Sequence, residues 1–259
     1  MKIGIIGMGY VGDAVASSLP ADSIVCYDPF IRSYEDNFEE VKSSDAVILC
    51  LPTPTRYDGS CNTSILHKTL DKLNEGKTFD GVIISKSTAP PTYYANAQTL
   101  YKNLVHVPEF LRASSAKQDY ENSPFAIYGG DYYWTTKAQE VLTLDCYKPK
   151  KHIHTSIKIA ATYKYLANSY LATKVVWMNE FKQLADAIGI EWNSLISCCG
   201  VDARIGIGHT QVPGPDGKFG YGGACFPKDV SAIISLANEH NVELSVLESV
   251  VAKNDKIRQ

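Results

Sequence analysis

Six short apolar runs in the first half of the chain constrain its fold more than any other feature. Lys2–Ile6, Ser23–Tyr27, Ala46–Leu51, Gly81–Ser85, Leu104–Val107 and Ala126–Tyr128 alternate with segments of helical periodicity, notably 11–18, 65–74 and 93–101. The run AVILCL at 46–51 has no polar member, so both faces of that strand are predicted to be buried, as in the interior of a parallel sheet. Strands separated by helices form βαβ units and predict a doubly wound parallel α/β sheet.

The second half reads differently. Lys148–Lys151 (KPKK) has the composition of a linker, and residues 156–188 then contain neither Pro nor Gly before Gly189. Ile157, Ala160, Ala161, Lys164, Asn168, Leu171 and Val175 recur at three- and four-residue steps. About thirty residues make one helix of ~45 Å, long for a small domain and suited to a dimer contact. Further helices are predicted over 193–199, from Pro227 to about Glu239, and from Leu244 onward. The predicted organisation is a sheet domain over 1–152, followed by an all-α central domain with one long helix over 153–259.

Charge and composition exclude several classes. With 25 Lys+Arg against 28 Asp+Glu, the net charge of -3 argues against holding nucleic acid by bulk charge. No apolar run approaches the ~18 residues of a membrane span, and the N-terminus lacks an export signal, so a cytoplasmic location is expected. The 7 cysteines are irregularly spaced, without a CxxC pair. His152 and His154 would share one face of a strand but lack a third ligand, so no metal is expected.

Residues that carry chemistry cluster at strand ends. Gly7-Met8-Gly9-Tyr10-Val11-Gly12 is a GxGxxG directly after the first strand, where glycines let backbone N–H groups approach a pyrophosphate in a Rossmann-like domain. Asp28 ends the second strand, where a carboxylate accepts hydrogen bonds from the adenosine ribose and repels a 2′-phosphate, which favours NAD. Arg32 is a further candidate contact to that ribose. Thr53 and Thr88 follow two other strands, at the sheet edge where ligands bind, and each also suits a loop cap. Glu109 lies past another strand end, in Val107-Pro108-Glu109-Phe110-Leu111-Arg112. Lys164 and Asn168, four apart, project from one face of the long helix and suit two donors to an oxyanion, or a solvated face. The sharpest feature is Gly220-Tyr221-Gly222-Gly223-Ala224-Cys225-Phe226-Pro227-Lys228-Asp229. Pro favours the first helical turn, so Cys225 is predicted at a helix N-terminus, where the dipole and nearby Lys228 both favour thiolate.

GYGGACFPKD closely resembles the active-site cysteine motif of UDP-glucose 6-dehydrogenases and related nucleotide-sugar dehydrogenases. GMGYVG, the PTP with Asp58-Gly59-Ser60, STAPP, PEFLR, the Lys164–Asn168 helix and Val201–Gly206 extend that resemblance in order along the chain. The resemblance implies a four-electron oxidation of a sugar C6 alcohol to a carboxylate with two NAD, UDP-glucose being the first choice of substrate. It implies Cys225 as the nucleophile of a thiohemiacetal and a thioester, and Lys164 and Asn168 as oxyanion donors. Asp229 would assist proton transfer, Glu109 would activate hydrolysis, and Thr88 would lie near the nicotinamide. Gly7, Gly9, Tyr10, Val11, Gly12, Asp28, Arg32, Thr53, Thr88 and Lys228 would contact the cofactor. Phe110, Leu111, Arg112, Lys164, Asn168, Tyr221 and Gly222 would contact substrate, with Arg204 reaching it across a homodimer built on the long helix. Ala113 departs from the family's usual glutamate. The chain ends where relatives continue, so a short form lacking the C-terminal UDP-binding domain is expected. Three alternatives follow: an enzyme competent alone, half of a split enzyme completed by a separate C-terminal-domain polypeptide, or an NAD-binding remnant that associates with full-length dehydrogenases.

Overall fold

A computed structural model describes residues 1–258. The chain forms two compact units, one holding residues 1–54 and 61–164, the other residues 55–60 and those from 165 onward.

The first unit is built on seven strands: β1 (Ile3–Ile6), β2 (Ile24–Tyr27), β3 (Ala46–Leu49), β4 (Val82–Ser85), β5 (Leu104–His106), β6 (Ala126–Gly129) and β7 (His152–Thr155). Their order is β2-β1-β3-β4-β5-β6-β7. Every pairing is parallel except β5 with β6, which meet antiparallel at His106 and Gly129. The helices are α1 (Tyr10–Ala16), α2 (Phe38–Lys42), α3 (Ser64–Asn74), α4 (Pro91–Leu100), α5 (Ala116–Glu121) and α6 (Tyr132–Leu142). The period of two sends alternate side chains to opposite cores. Ile3, Ile5, Ile48 and Ile84 join residues of α1, α5 and α6, while Val47, Leu49 and Ile83 join those of α2, α3 and α4. Leu66, Leu70 and Leu73 of α3 are fully buried, each contributing about 1.5–3 kcal/mol.

The doubly wound α/β expectation holds, with additions. The KPKK segment leads from α6 into β7, the seventh strand of the same sheet. The expected boundary at 152/153 therefore falls at the start of β7, and the first unit runs on to Lys164. β7 is an edge strand with His152 and Ile153 exposed, so it carries no apolar run. Helix α6 opens on three aromatics and two threonines, weak helix formers, and is held at its start by Asp131, which accepts the Tyr133 N–H at 3.0 Å.

The second unit is helical: α7 (Ile157–Ala187), which begins in the first unit, then α8 (Trp192–Val201), α9 (Phe226–Glu239) and α10 (Ser245–Ile257). The predicted long helix is thus present to within a residue or so, and it closes with the Ile190 N–H on the Ala185 carbonyl at 2.8 Å. Ala172, Val176, Tyr221, Val230 and Leu247 form its main core. The 55–60 loop belongs to this unit, and Ser231 Oγ on α9 donates to the Gly59 carbonyl at 2.9 Å. Among the described residues, no helix is long and apolar enough to cross a membrane.

Candidate functional site

At the β1–β3 switch point the three glycines take three different roles. Gly7 has φ +92, and a Cβ there would sit 2.5 Å from the Cys50 carbonyl oxygen. Gly9, the N-cap of α1, would place a Cβ in open space, so its backbone is open to an approaching ligand. At Gly12 a Cβ would strike the Gly7 carbonyl, so the helix packs on the turn only without a side chain. This division of labour fits a dinucleotide pyrophosphate. Asp28 braces the turn: its Oδ2 accepts the Met8 N–H at 2.8 Å and its Oδ1 the Phe30 N–H at 2.9 Å. Those bonds leave carboxylate lone pairs for ribose hydroxyls. Val11 packs on the core, whereas the Tyr10 and Arg32 side chains are exposed.

The ends of β3, β4 and β5 are stitched together. Thr53 Oγ1 donates to the Thr88 carbonyl at 2.6 Å, and Ser87 Oγ accepts the Leu51 N–H at 2.9 Å. Lys164 donates to the Glu109 backbone carbonyl, with its Nζ 4.8 Å from the Phe110 ring centre. Glu109 Oε1 accepts the Phe110 N–H at 2.7 Å. Beneath it lies a residue that the sequence did not single out. Lys86 is fully buried, with Nζ 3.4 Å from Glu109 Oε2 and over the rings of Tyr120 (4.8 Å) and Tyr147 (5.3 Å). The available signal was a lysine directly after the apolar strand VIIS, at a ligand-binding sheet edge. Burial raises the phenols of Tyr120 and Tyr147 and pushes the Cys50 thiol up to about 12, so these groups stay neutral. Burial also pushes His106 down to about 3, leaving a neutral imidazole beside Ser85. Leu111 packs on the core, and Arg112 is tied to Asp119 through two nitrogens at 2.9 and 2.6 Å.

In the second unit Cys225 is the N-cap of α9, with Pro227 in the first turn as predicted. One turn on, Asp229 is buried with both oxygens engaged, by Asn168 Nδ2 at 2.5 Å and Lys228 Nζ at 2.5 Å. A sulfur at the positive end of a 14-residue helix is thus backed by a fixed Asn–Asp–Lys network. Tyr221 is buried in the core, and Gly222 lies against Arg258. Arg204 is exposed and pairs with Asp202 at 2.9 and 2.8 Å. His152 and His154 stack with Tyr128, and His154 bonds Thr135 and Gln139. Among the described residues no group of His, Cys, Asp and Glu could hold a metal ion.

Comparison with known proteins places the chain in one family. Residues 30–149 match the NAD binding domain of the UDP-glucose/GDP-mannose dehydrogenase family, and residues 158–256 match its central domain. A UDP-glucose 6-dehydrogenase of Rickettsia prowazekii is 31% identical over 88% of this chain and 52% of its own length. One of Rhizobium meliloti is 28% identical over 98% of the chain and 68% of its own length. The chain thus spans about half to two-thirds of the length of the first relatives it matches. The solved UDP-glucose dehydrogenase of Pyrobaculum islandicum shares the fold with a TM-score of 0.81 at 22% identity, over 98% of this chain and 68% of that one. The cofactor of this sheet domain is NAD. A glycine turn shaped for a dinucleotide, a cysteine-capped helix and both family domains in order make this chain a member of the UDP-glucose/GDP-mannose dehydrogenase family.

Proposed function

We propose that the chain oxidises the C6 alcohol of a nucleotide sugar to the carboxylate, with UDP-glucose the first choice of substrate. The observation that carries this reading is Cys225 capping α9, with Asp229 one turn on locked by Asn168 and Lys228. The glycine turn of Gly7, Gly9 and Gly12, with Asp28, would hold NAD, which when bound would supply the hydride acceptor for both oxidation steps. The chain's own residues do the rest. Loss of the first hydride and the hydroxyl proton leaves an aldehyde, which the Cys225 sulfur attacks to give a thiohemiacetal. Lys164 and Asn168 donate hydrogen bonds to the oxyanion, stabilising charge that develops only in that step. Loss of the second hydride leaves a thioester, and water, activated by Glu109, adds to its carbonyl and releases the carboxylate and the Cys225 thiolate. Asp229 exchanges protons through water. Per sugar, one water is consumed and two NADH and three protons are formed.

A second copy of this chain is the proposed partner. Leu166, Tyr170, Trp177, Phe181 and Leu184 are all exposed and recur at three-, four- and seven-residue steps along α7, and exposed Ile188 just past its end continues the row. Such a stripe on a soluble helix marks an interaction face.

The test is NADH formation by the purified chain with NAD and a panel of nucleotide sugars, beside Cys225→Ala. Two NADH per sugar, abolished by the substitution, is the expected result. NADH that appears only after a separate nucleotide-binding polypeptide is added supports a split enzyme. No NADH under either condition, from folded protein, refutes the catalytic reading.

A further inference from the structure

The backbone that leads into Cys225 is held by the last helix. Asn254 on α10 brackets Tyr221, its Oδ1 accepting the Tyr221 N–H at 2.7 Å and its Nδ2 donating to the Tyr221 carbonyl at 3.1 Å. One side-chain amide thereby satisfies both backbone groups of a buried residue, as a neighbouring strand would. One helical turn on, Arg258 donates through NH1 to the carbonyls of Phe219 (3.1 Å) and Gly220 (3.2 Å), and through NH2 to Asp216 at 2.5 Å. Asn179 on α7 takes the Gly220 N–H at 3.0 Å.

This loop needs such fastening. Five glycines lie between 214 and 223, and three of them, Gly217, Gly220 and Gly223, have positive φ. A segment that rich in glycine loses more backbone entropy on ordering than an ordinary loop. Gly222 is glycine for a different reason. Its φ is not in the left-handed range, but a Cβ there would coincide with the Arg258 guanidinium. The residue is therefore explained by the arginine beside it, without a ligand.

We propose that Asn254 and Arg258 are positioning residues for the nucleophile: they fasten residues 219–222 so that Cys225 caps α9 in one orientation, and Gly222 exists to admit Arg258. The consequence for catalysis rests on the reading of Cys225 given above. A misplacement of ~1 Å at a reacting group costs on the order of 100-fold in rate, so a loop this loose without its clamp is a catalytic liability.

The test is the alkylation rate of Cys225 by iodoacetamide in the full chain, read from the mass of its peptide, with exposed Cys146 as internal reference. Arg258→Ala is expected to raise the Cys225 rate at least about fivefold relative to Cys146, because release of the loop uncovers a half-buried sulfur. Amide exchange at 219–222 accelerates in the same variant, while exchange in the sheet and the melting temperature stay near the parent. Arg258→Lys keeps the charge but loses the fork that engages two carbonyls and Asp216 together, so its rate falls between those of the parent and Arg258→Ala. Gly222→Ala expels the guanidinium and reproduces Arg258→Ala, and the double variant is no more reactive than either single. A Cys225 rate in Arg258→Ala within about twofold of the parent, or single effects that multiply in the double variant, overturns the proposal. None of these readouts needs turnover. A chain that responds as expected but forms no NADH keeps the clamp and loses the catalytic reading.

Discussion

Lys86 and Glu109 form a charge pair whose two members are unequally exposed, and that inequality predicts an asymmetric mutational response. The Lys86 side chain is 0% exposed and that of Glu109 13%, with the charges 3.4 Å apart. At an effective dielectric of ~20 that separation gives about 5 kcal/mol of attraction, set against the desolvation of both groups. Glu109→Leu strands a fully buried ammonium against the stacked rings of Tyr120 and Tyr147. Ring faces return only ~1–2 kcal/mol each, so the expected loss is about 3–5 kcal/mol. Lys86→Met strands a carboxylate that keeps some water and the Phe110 N–H at 2.7 Å. Its expected loss is smaller, about 1–3 kcal/mol. The double variant replaces both charges by apolar groups and is expected within ~1–2 kcal/mol of the parent. At about 2–4 °C per kcal/mol for a domain of this size, Glu109→Leu melts roughly 6–20 °C below the parent. Thermal melts at pH 7 followed by circular dichroism measure all four proteins. A Lys86→Met loss equal to or larger than that of Glu109→Leu, or a double variant as unstable as the two losses combined, refutes the coupling.

Asp119 is held down to about 2, first by its hydrogen bond from Arg112, so it contributes stability above its unfolded value of ~3.9 that is lost as pH falls through about 2. The difference in melting temperature between parent and Asp119→Asn should therefore be full above pH ~4 and close by about pH 2; a difference that persists at pH 2 contradicts the pairing. Gly12→Ala drives a Cβ into the Gly7 carbonyl, which has no flexible side chain to give way. It is expected to cost about 1–3 kcal/mol and at least tenfold in NAD affinity by fluorescence titration, and unchanged affinity would reject the close-packing role. Trp177→Glu puts a charge on the exposed stripe of α7, where Trp177 is 56% exposed. Sedimentation should show a dimer in the parent and a monomer in the variant; equal masses remove the stripe as the contact.

What the sequence made legible was what local pattern encodes. AVILCL and GVIIS announced buried strands because every residue of Ala46–Leu49 and Val82–Ser85 is buried. GxGxxG and the Pro after Cys225 located two helix starts because each residue type answers a backbone requirement within a few positions. Features that rest on distant partners were hidden. Lys86 reads as an ordinary charge until Glu109, 23 residues on, is brought beside it by the next strand. Asn254 and Arg258 lie 33 and 38 residues from the backbone atoms they hold, with no periodicity to connect them. β7 escaped because an edge strand keeps little apolar alternation, and KPKK before it looks like an exposed joint. The substrate-contact expectations for Arg112 and Arg204 were read from position in a motif, and here each guanidinium is paired with a nearby aspartate, Asp119 and Asp202.

The 55–60 loop has a consequence for how the molecule can be made. The helical unit takes six of its residues from between β3 and α3, so the polypeptide passes from one unit to the other at 54/55, 60/61 and 164/165. No single cut yields that unit whole. A fragment from 165 onward lacks the Gly59 carbonyl for Ser231, and the wall that Asp58 and Gly59 give to a cavity of about 250 Å³ beside α9. During synthesis the loop emerges early and its acceptor surface late, since Gly59 and Ser231 are 172 residues apart. Closing so long a span is entropically slow, and the helical unit reaches its final form only after the chain has been made through α9.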